Sequence, residues 1–472
     1  FVAALLATSY WHVAISRQAL RIVLTPPITA LLLIFLARAM RHNRRADYII
    51  AGLCLGYGLY MYQAVRMLPI VIVLAIGMAL YFSARSWRER RQYVFNLSVL
   101  VLISFVVFLP LFHYSVEQPE LFWRRTTGRL LGDDVITETL ADGTVRQREA
   151  SVEERLQAFQ NNVPVLLSNV RNVLLMFNWK GDVAAITGVP NTPALDPFSG
   201  TLFIVGLGAW SVYAIRRRDV VLGLVPIGLF IMLLPSALSI AFPVENPSHT
   251  RTSGAIPFAY LIMALPLAVI VDQMWRQDRV RKLIAVGLSG FVILASYDAN
   301  TRTYFGDYPQ VYSDSFDPYT EPGRFLEGFA NSNGSYGNAF MIGFPHWWSH
   351  RAIGLAGGLE TYWPNGIVSR DAIPEMLEAA ALRNDAFRLD PNKDLLFFYS
   401  PDDVETGQRL QALFPEGREA RYQTYARNND FMWYMVPALG TQNLTEWLIA
   451  PEANALADDT SVEIPSLVPP SE

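Results

Sequence analysis

The chain has 472 residues, 52% of them hydrophobic and only 17% charged, with a mean hydropathy of +0.23 and a net charge of −4. Soluble globular domains carry roughly a quarter charged residues, so this composition excludes an ordinary soluble protein, and the net negative charge argues against nucleic acid as a partner. The single Cys54 excludes a disulfide framework within the chain.

Apolar runs fall near Val2–Ile15, Ile22–Ala37, Ile49–Tyr60, Met67–Phe82, Val94–Phe112, Thr201–Ile215, Val220–Phe242, Ala255–Val271 and Leu283–Ser296. They predict a polytopic α-helical membrane protein with about nine transmembrane helices. The first run opens at Phe1 with neither an initiator Met nor a signal-peptide n-region. The expectation is a chain whose upstream part is missing.

The stretch from Ile49 to Phe82 is nearly free of charge and too long for one crossing, which needs about 20 residues. It predicts two short helices meeting at a hairpin over Tyr60–Pro69. Arg66 then lies at a membrane surface beside Tyr57, Tyr60 and Tyr62. Four short connections are dense in arginine: "RAMRHNRRAD" (38–47), "RSWRERRQ" (85–92), "RRRD" (216–219) and "RQDRVRK" (276–282). The positive-inside rule assigns them to the cytoplasm. The hairpin, the long loop 113–200, the loop "FPVENPSHTRTSG" (242–254) and everything from about Asn300 onward are then extracytoplasmic.

The part after residue 300 is more polar and more acidic. Apolar runs at 338–344, 394–400 and 430–437 predict strands. Helical spacing at 373–384 and 404–415 predicts helices between them. The implied domains are a membrane core over 1–299, an extracytoplasmic α/β domain over 300–450, and a disordered acidic tail over 451–472. "SPDD" (400–403) suits a helix cap better than a cation site.

Candidate functional residues gather on the outer side. Arg17 and Arg21 are spaced i, i+4, so a helix presents both on one face, as an anion clamp or as snorkelling interfacial arginines. Arg66 admits the same two readings. "FNWKGDVAAITGVPNTPALDPFSG" (177–200) is dense in turn formers and places Lys180 and Asp182 beside Trp179, either a sugar-stacking platform or an interface anchor. Glu245, His249 and Arg251 fall within seven residues, too few ligands for a convincing metal site. The HExxH, CxxC, GxSxG and P-loop patterns are absent, and no cofactor is expected.

The order of "SYWHVAISRQALR", "GLYMYQAVRMLP", "MFNWKGDVAAITGVPNTPALDPFSGTLF" and "ENPSHTRTSGAIPFAYL" resembles bacterial members of the protein O-mannosyltransferase and aminoarabinose transferase family, glycosyltransferases of the C-type membrane fold. The resemblance runs from about Ser9 to Tyr304. "FMIGFPHWWSHRAIG" and "LFPEG" resemble the soluble C-terminal domain of some members. It implies transfer of a sugar from a polyprenyl-phosphate donor to a protein, lipid or glycan acceptor at the outer face of the cell membrane.

In that family the catalytic base is an Asp in the first outer loop, expected here upstream of Phe1, so the catalytic residue is unknown. By motif, Arg17, Tyr62 and Arg66 would face the donor phosphate, Arg21 stands where many relatives carry an Asp, and Arg251 would sit at the cavity mouth. Trp179, Lys180, Asp182, Glu245 and His249 would belong to the loops that close over substrate. The competing class is a non-catalytic transporter or flippase for a lipid-linked sugar, in which repeats and midplane helix breaks are usual.

Overall fold

The computed structural model describes residues 1–444 except 18–19, 85, 132–134, 140–144, 218, 316–318, 344–348, 367–368, 426–429 and 442. The expected tail, 451–472, lies outside the described residues. The chain divides into two compact units, Phe1–Val311 and the part from Tyr312 onward. The boundary expected at 299/300 falls inside a helix that runs on to Arg302.

The first unit is helical. Its elements are α1 (Val2–Thr8), α2 (Tyr10–Arg17), α3 (Thr25–His42), α4 (Arg45–Gly58), α5 (Leu68–Met78), α6 (Trp87–Glu117) and α7 (Pro119–Leu131). A two-stranded antiparallel hairpin, β1 (Val135–Thr139) and β2 (Val145–Glu149), follows. Then come α8 (Val152–Leu175), α9 (Pro197–Arg217), α10 (Val220–Ala237), α11 (Ile256–Trp275) and α12 (Arg279–Arg302), and α13 (Tyr308–Ser315) contains the Val311/Tyr312 boundary.

Seven stretches among the described residues are long and apolar enough to cross a membrane, as a membrane-embedded helical protein requires: 21–42, 63–83, 87–117, 197–217, 220–237, 253–275 and 279–315. About nine were expected, and the two that fall short do so for physical reasons. The run Val2–Ile15 breaks at Ser9, whose backbone is extended and whose hydroxyl accepts from the His12 amide at 3.1 Å, starting a new helix. The Ile49–Tyr60 run gives α4, whose 14 residues rise about 21 Å at 1.5 Å each, below the ~30 Å of a hydrocarbon core.

Helix α4 packs closely on α6 through two small residues four apart. A Cβ on Gly52 would meet the Leu100 carbonyl oxygen at 2.7 Å, and one on Gly56 would meet Val107 Cβ at 2.6 Å. This is the small-xxx-small contact of membrane helices, in which dispersion between backbones replaces the hydrophobic drive. The Tyr60 hydroxyl adds a hydrogen bond to the Val107 carbonyl at 2.8 Å.

At the other side of the unit, Asp196 joins α9 to α12. Its Oδ1 caps α9 by accepting from the Phe198 and Ser199 amides, while Oδ2 accepts from Ser296 at 2.7 Å and Asn300 at 2.8 Å. Asn300 in turn accepts from the Tyr10 amide at 3.0 Å, which fixes the start of α2.

The second unit contains α14 (Thr320–Ala330), β3 (Ala339–Met341), α15 (His350–Ala356), α16 (Ile373–Leu382), β4 (Leu395–Tyr399), α17 (Val404–Leu413), β5 (Arg418–Tyr422) and β6 (Phe431–Val436). The sheet order is β3-β4-β6-β5, with β3 parallel to β4 and the other pairs antiparallel. The expected strands and helices form, and the sheet is mixed. All five residues of β4 are buried, because the sheet is covered on both faces. Phe340 and Phe397 pack on one face with Leu377 and Leu410, and Met341 and Phe398 on the other with Leu326 and Ile353. Strand β5, "REARY", escapes an apolar pattern because it is an exposed edge paired only to β6. Asp403 of "SPDD" caps α17 by accepting from the Thr406 amide at 3.2 Å.

Candidate functional site

Between α4 and α5 the chain leaves helical geometry. After Gly58 it turns, Tyr62 is extended, and Gln63–Met67 form a single 3₁₀ turn before Pro69 opens α5. Proline is tolerated there because a first-turn amide has no intrahelical partner. The turn projects Arg66 toward α7, a helix in the long segment 113–200. There the guanidinium carbon stands 4.3 Å from the Phe122 ring centroid and 5.4 Å from that of Trp123, and Nη1 donates to Thr126 Oγ1 at 3.1 Å. Among the described residues no carboxylate pairs with Arg66. A half-buried cation held by π faces and one hydroxyl is retained at modest cost and keeps most of its donors available.

The loop 242–255 approaches the same place from α10. It is anchored through Ser236: Asn246 Nδ2 donates to the Ser236 carbonyl at 3.0 Å, and the Ser248 amide donates to Ser236 Oγ at 3.0 Å. The anchor presents Glu245 and Arg251. Glu245 Oε2 accepts from Arg251 Nη2 and also from Arg129 Nη1 of α7, the latter at 2.6 Å. Arg129 further stacks on Phe242, 4.6 Å from its centroid.

These parts line a half-open cavity of about 760 Å³. Arg66, Arg129, Arg251 and Tyr62 line it on the polar side, and Phe108, Phe112 and Leu238 are among its apolar walls. Glu245 is not among the lining residues. Three guanidinium groups against one carboxylate leave the cavity positive, and the surrounding apolar walls raise the strength of any charge interaction inside it. The arrangement suits an amphiphile with an anionic head and an apolar tail.

The structure thus brings together three of the five residues proposed for phosphate: Tyr62, Arg66 and Arg251. Arg17 and Arg21 stand elsewhere. Helix α2 ends at Arg17, Leu20 is extended, and Arg21 starts a separate 3₁₀ turn, so the two do not share a helix face. Arg21 is exposed, and Arg17 is exposed beside the Tyr304 ring, 5.7 Å from its centroid.

The substrate-loop candidates divide as well. Trp179 is 77% exposed and Lys180 is exposed. Asp182 and His249 are 3% and 2% exposed and face each other. Asp182 Oδ2 accepts from the His249 amide at 2.7 Å, Oδ1 accepts from the Ala184 amide at 2.9 Å, and the Asp182 amide donates to His249 Nε2 at 3.4 Å. Burial pushes the His249 imidazole down to about 4 against the opposing pull of Asp182. A Cβ on Gly181 would lie 1.9 Å from the Thr192 carbonyl oxygen, so this turn closes only with glycine. The pair therefore ties the 177–196 loop to the 242–255 loop. Glu245 and His249 serve different partners: the Glu245 carboxylate accepts from Arg129 and Arg251, and the His249 imidazole accepts from the Asp182 amide. Among the described residues no three His, Cys, Asp or Glu side chains converge.

Arg129 was missed, together with Phe122 and Thr126. The signal was present in "FWRRTTGR": positions 122, 126 and 129 share one helix face. Comparison of the chain with protein-family models, with curated proteins and with solved structures returned no match.

Proposed function

We propose that the protein is a membrane glycosyltransferase that moves a sugar from a polyprenyl-phosphate donor to a protein, lipid or glycan acceptor at the outer face of the cell membrane. The observation that carries this reading is Arg66: a cation with no carboxylate partner among the described residues, in a positive cavity with apolar walls. The ordered sequence motifs between Ser9 and Tyr304 support it, as do the arginine-rich connections, which put the Tyr60–Pro69 hairpin and the C-terminal unit outside the cytoplasm.

The chemistry follows from the donor. As the bond to the anomeric carbon breaks, negative charge grows on the departing phosphate, and preorganised guanidinium groups stabilise that charge more than they stabilise the bound donor. Tyr62, Arg66 and Arg251 are assigned to the phosphate. The apolar walls are assigned to the first isoprene units. No residue of this chain is assigned as the base that activates the acceptor.

The test is sugar transfer in membranes from cells expressing the intact gene, supplied with radiolabelled polyprenyl-phosphate hexoses and pentoses. Wild type transfers at least one of them. Removing one contact that strengthens in the transition state costs on the order of 2–4 kcal/mol, so Arg66→Ala lowers the rate roughly 30- to 1,000-fold. Arg66→Lys also loses most of it, because an ammonium lacks the planar fork and the ring stacking. Near-normal transfer by both variants at matched expression would make Arg66 a membrane anchor and refute the assignment.

A further inference from the structure

Arg129 reaches the cavity from a different element than any residue the sequence motifs select. It sits on α7, one turn after Thr126, the residue that receives the Arg66 guanidinium. Residues three apart on a helix have Cβ atoms about 5–6 Å apart, so Arg129 and the Arg66 head group are neighbours along one face of α7. On its other side Arg129 shares a single oxygen, Glu245 Oε2, with Arg251. All three arginines line the cavity, and Glu245 does not.

Resting on the phosphate-lipid reading above, we propose that Arg129 is a third phosphate-binding residue, and that Glu245 is the counter-ion it shares with Arg251 until an anionic head group takes over. Three features favour the exchange. One carboxylate oxygen serves two guanidinium groups, so each has a single-point contact, whereas the lipid phosphate monoester released by transfer has three terminal oxygens, enough for a bidentate contact to each arginine. Glu245 is 41% exposed, so its carboxylate returns to water without being stranded in a buried position. Arg251 is only 13% exposed and is bound at Nη1 to the Glu245 carbonyl, so the cation stays in place while the carboxylate moves. Arg129 is likewise held by the Phe242 ring. A site of this charge prefers a phosphate monoester dianion to an uncharged alcohol of the same chain.

The competing interpretation is that the Arg129–Glu245 pair only fastens α7 to the 242–255 loop. The two make opposite predictions for Glu245. The full chain in detergent is titrated calorimetrically with farnesyl phosphate, with farnesol and with inorganic phosphate. Wild type binds farnesyl phosphate and not farnesol. Arg129→Ala weakens farnesyl phosphate about tenfold or more, the scale of one charge-assisted contact. Glu245→Gln, which keeps size and an acceptor but removes the competing charge, binds it as tightly as wild type or several-fold tighter.

Equal weakening by Arg129→Ala and Glu245→Gln would show a fastening pair and overturn the proposal. Unchanged binding in Arg129→Ala would overturn it while leaving the phosphate-lipid reading intact. Where Glu245→Gln yields no folded protein, the milder Arg129→Lys decides: loss of farnesyl phosphate affinity at an unchanged melting temperature supports a ligand role, and full affinity refutes it. Inorganic phosphate bound as tightly as farnesyl phosphate would keep Arg129 as an anion ligand and refute the lipid reading. No binding of either by wild type would overturn both.

Discussion

Asp182→Asn isolates the tie between the 177–196 and 242–255 loops. The carboxylate accepts two backbone amides, from His249 at 2.7 Å and Ala184 at 2.9 Å, in a place 3% exposed. Asparagine has one acceptor oxygen. Whichever way its amide lies, one backbone N–H faces an NH₂ donor. A hydrogen bond to a charged group is worth about 1.5–3 kcal/mol, and a buried donor left facing a donor costs a further 1–3 kcal/mol. Part of this is offset because a neutral amide is cheaper to bury than a carboxylate. The expected net loss is about 2–4 kcal/mol, read as a drop of several degrees in melting temperature by fluorescence-detected size exclusion. Segment 177–196 should also become the first site of limited proteolysis, since its link to the 242–255 loop is lost. A melting temperature within one degree of wild type, with an unchanged cleavage pattern, would refute the assignment of Asp182 as a tie.

The neighbouring His249 gives a pH dependence of known sign. Its folded-state value of about 4 lies below the ordinary 6.5, so the stability it contributes is present above pH 6.5 and is lost as pH falls toward 4. That gap corresponds to about 3 kcal/mol. Wild type should lose melting temperature over this window more steeply than His249→Gln, and parallel curves would contradict it. Gly181→Ala should lower stability by about 1–3 kcal/mol through overpacking against the Thr192 carbonyl, measured by the same melt. Alkaline phosphatase fused after Ser313 should be active in a bacterial host. Activity there only of a cytoplasmic reporter would overturn the orientation drawn from the arginine-rich loops.

Sequence patterns revealed what depends on local chain and missed what depends on neighbours. The break between α4 and α5 was legible because a charged residue and a proline interrupt an apolar run. Strand β4 was legible because a strand buried on both faces is an unbroken apolar segment. The split at Ser9 was not, since it turns on one hydroxyl capping one amide within an apolar run. Edge strand β5 carries a polar pattern that a loop shares. At the site, Arg66 stood out because it is an isolated cation among apolar residues. Arg129 did not, because "RRTTGR" reads as a solvated helix until Arg66, Phe242 and Glu245 are placed against it. Asp182 and His249 were selected for their chemistry, and burial gave that chemistry to loop closure. Residue type indicates what a side chain can do, and solvent exposure decides whether it is available to do it.

The close approach of α4 to α6 has a bearing on how this cavity can vary. Gly52 and Gly56 line no part of it, yet they set how near the α4 axis comes to α6. Through that spacing they set the distance from the Tyr62–Arg66 turn, which follows α4 directly, to Phe108 and Phe112 on α6. A methyl group added at residue 56 would wedge against Val107, one residue before Phe108, and open the aromatic wall away from the arginines without altering any charge. The width of the cavity and the charge it presents are thus adjustable at separate positions, the first by side-chain volume at a helix crossing and the second by the loops that carry the arginines.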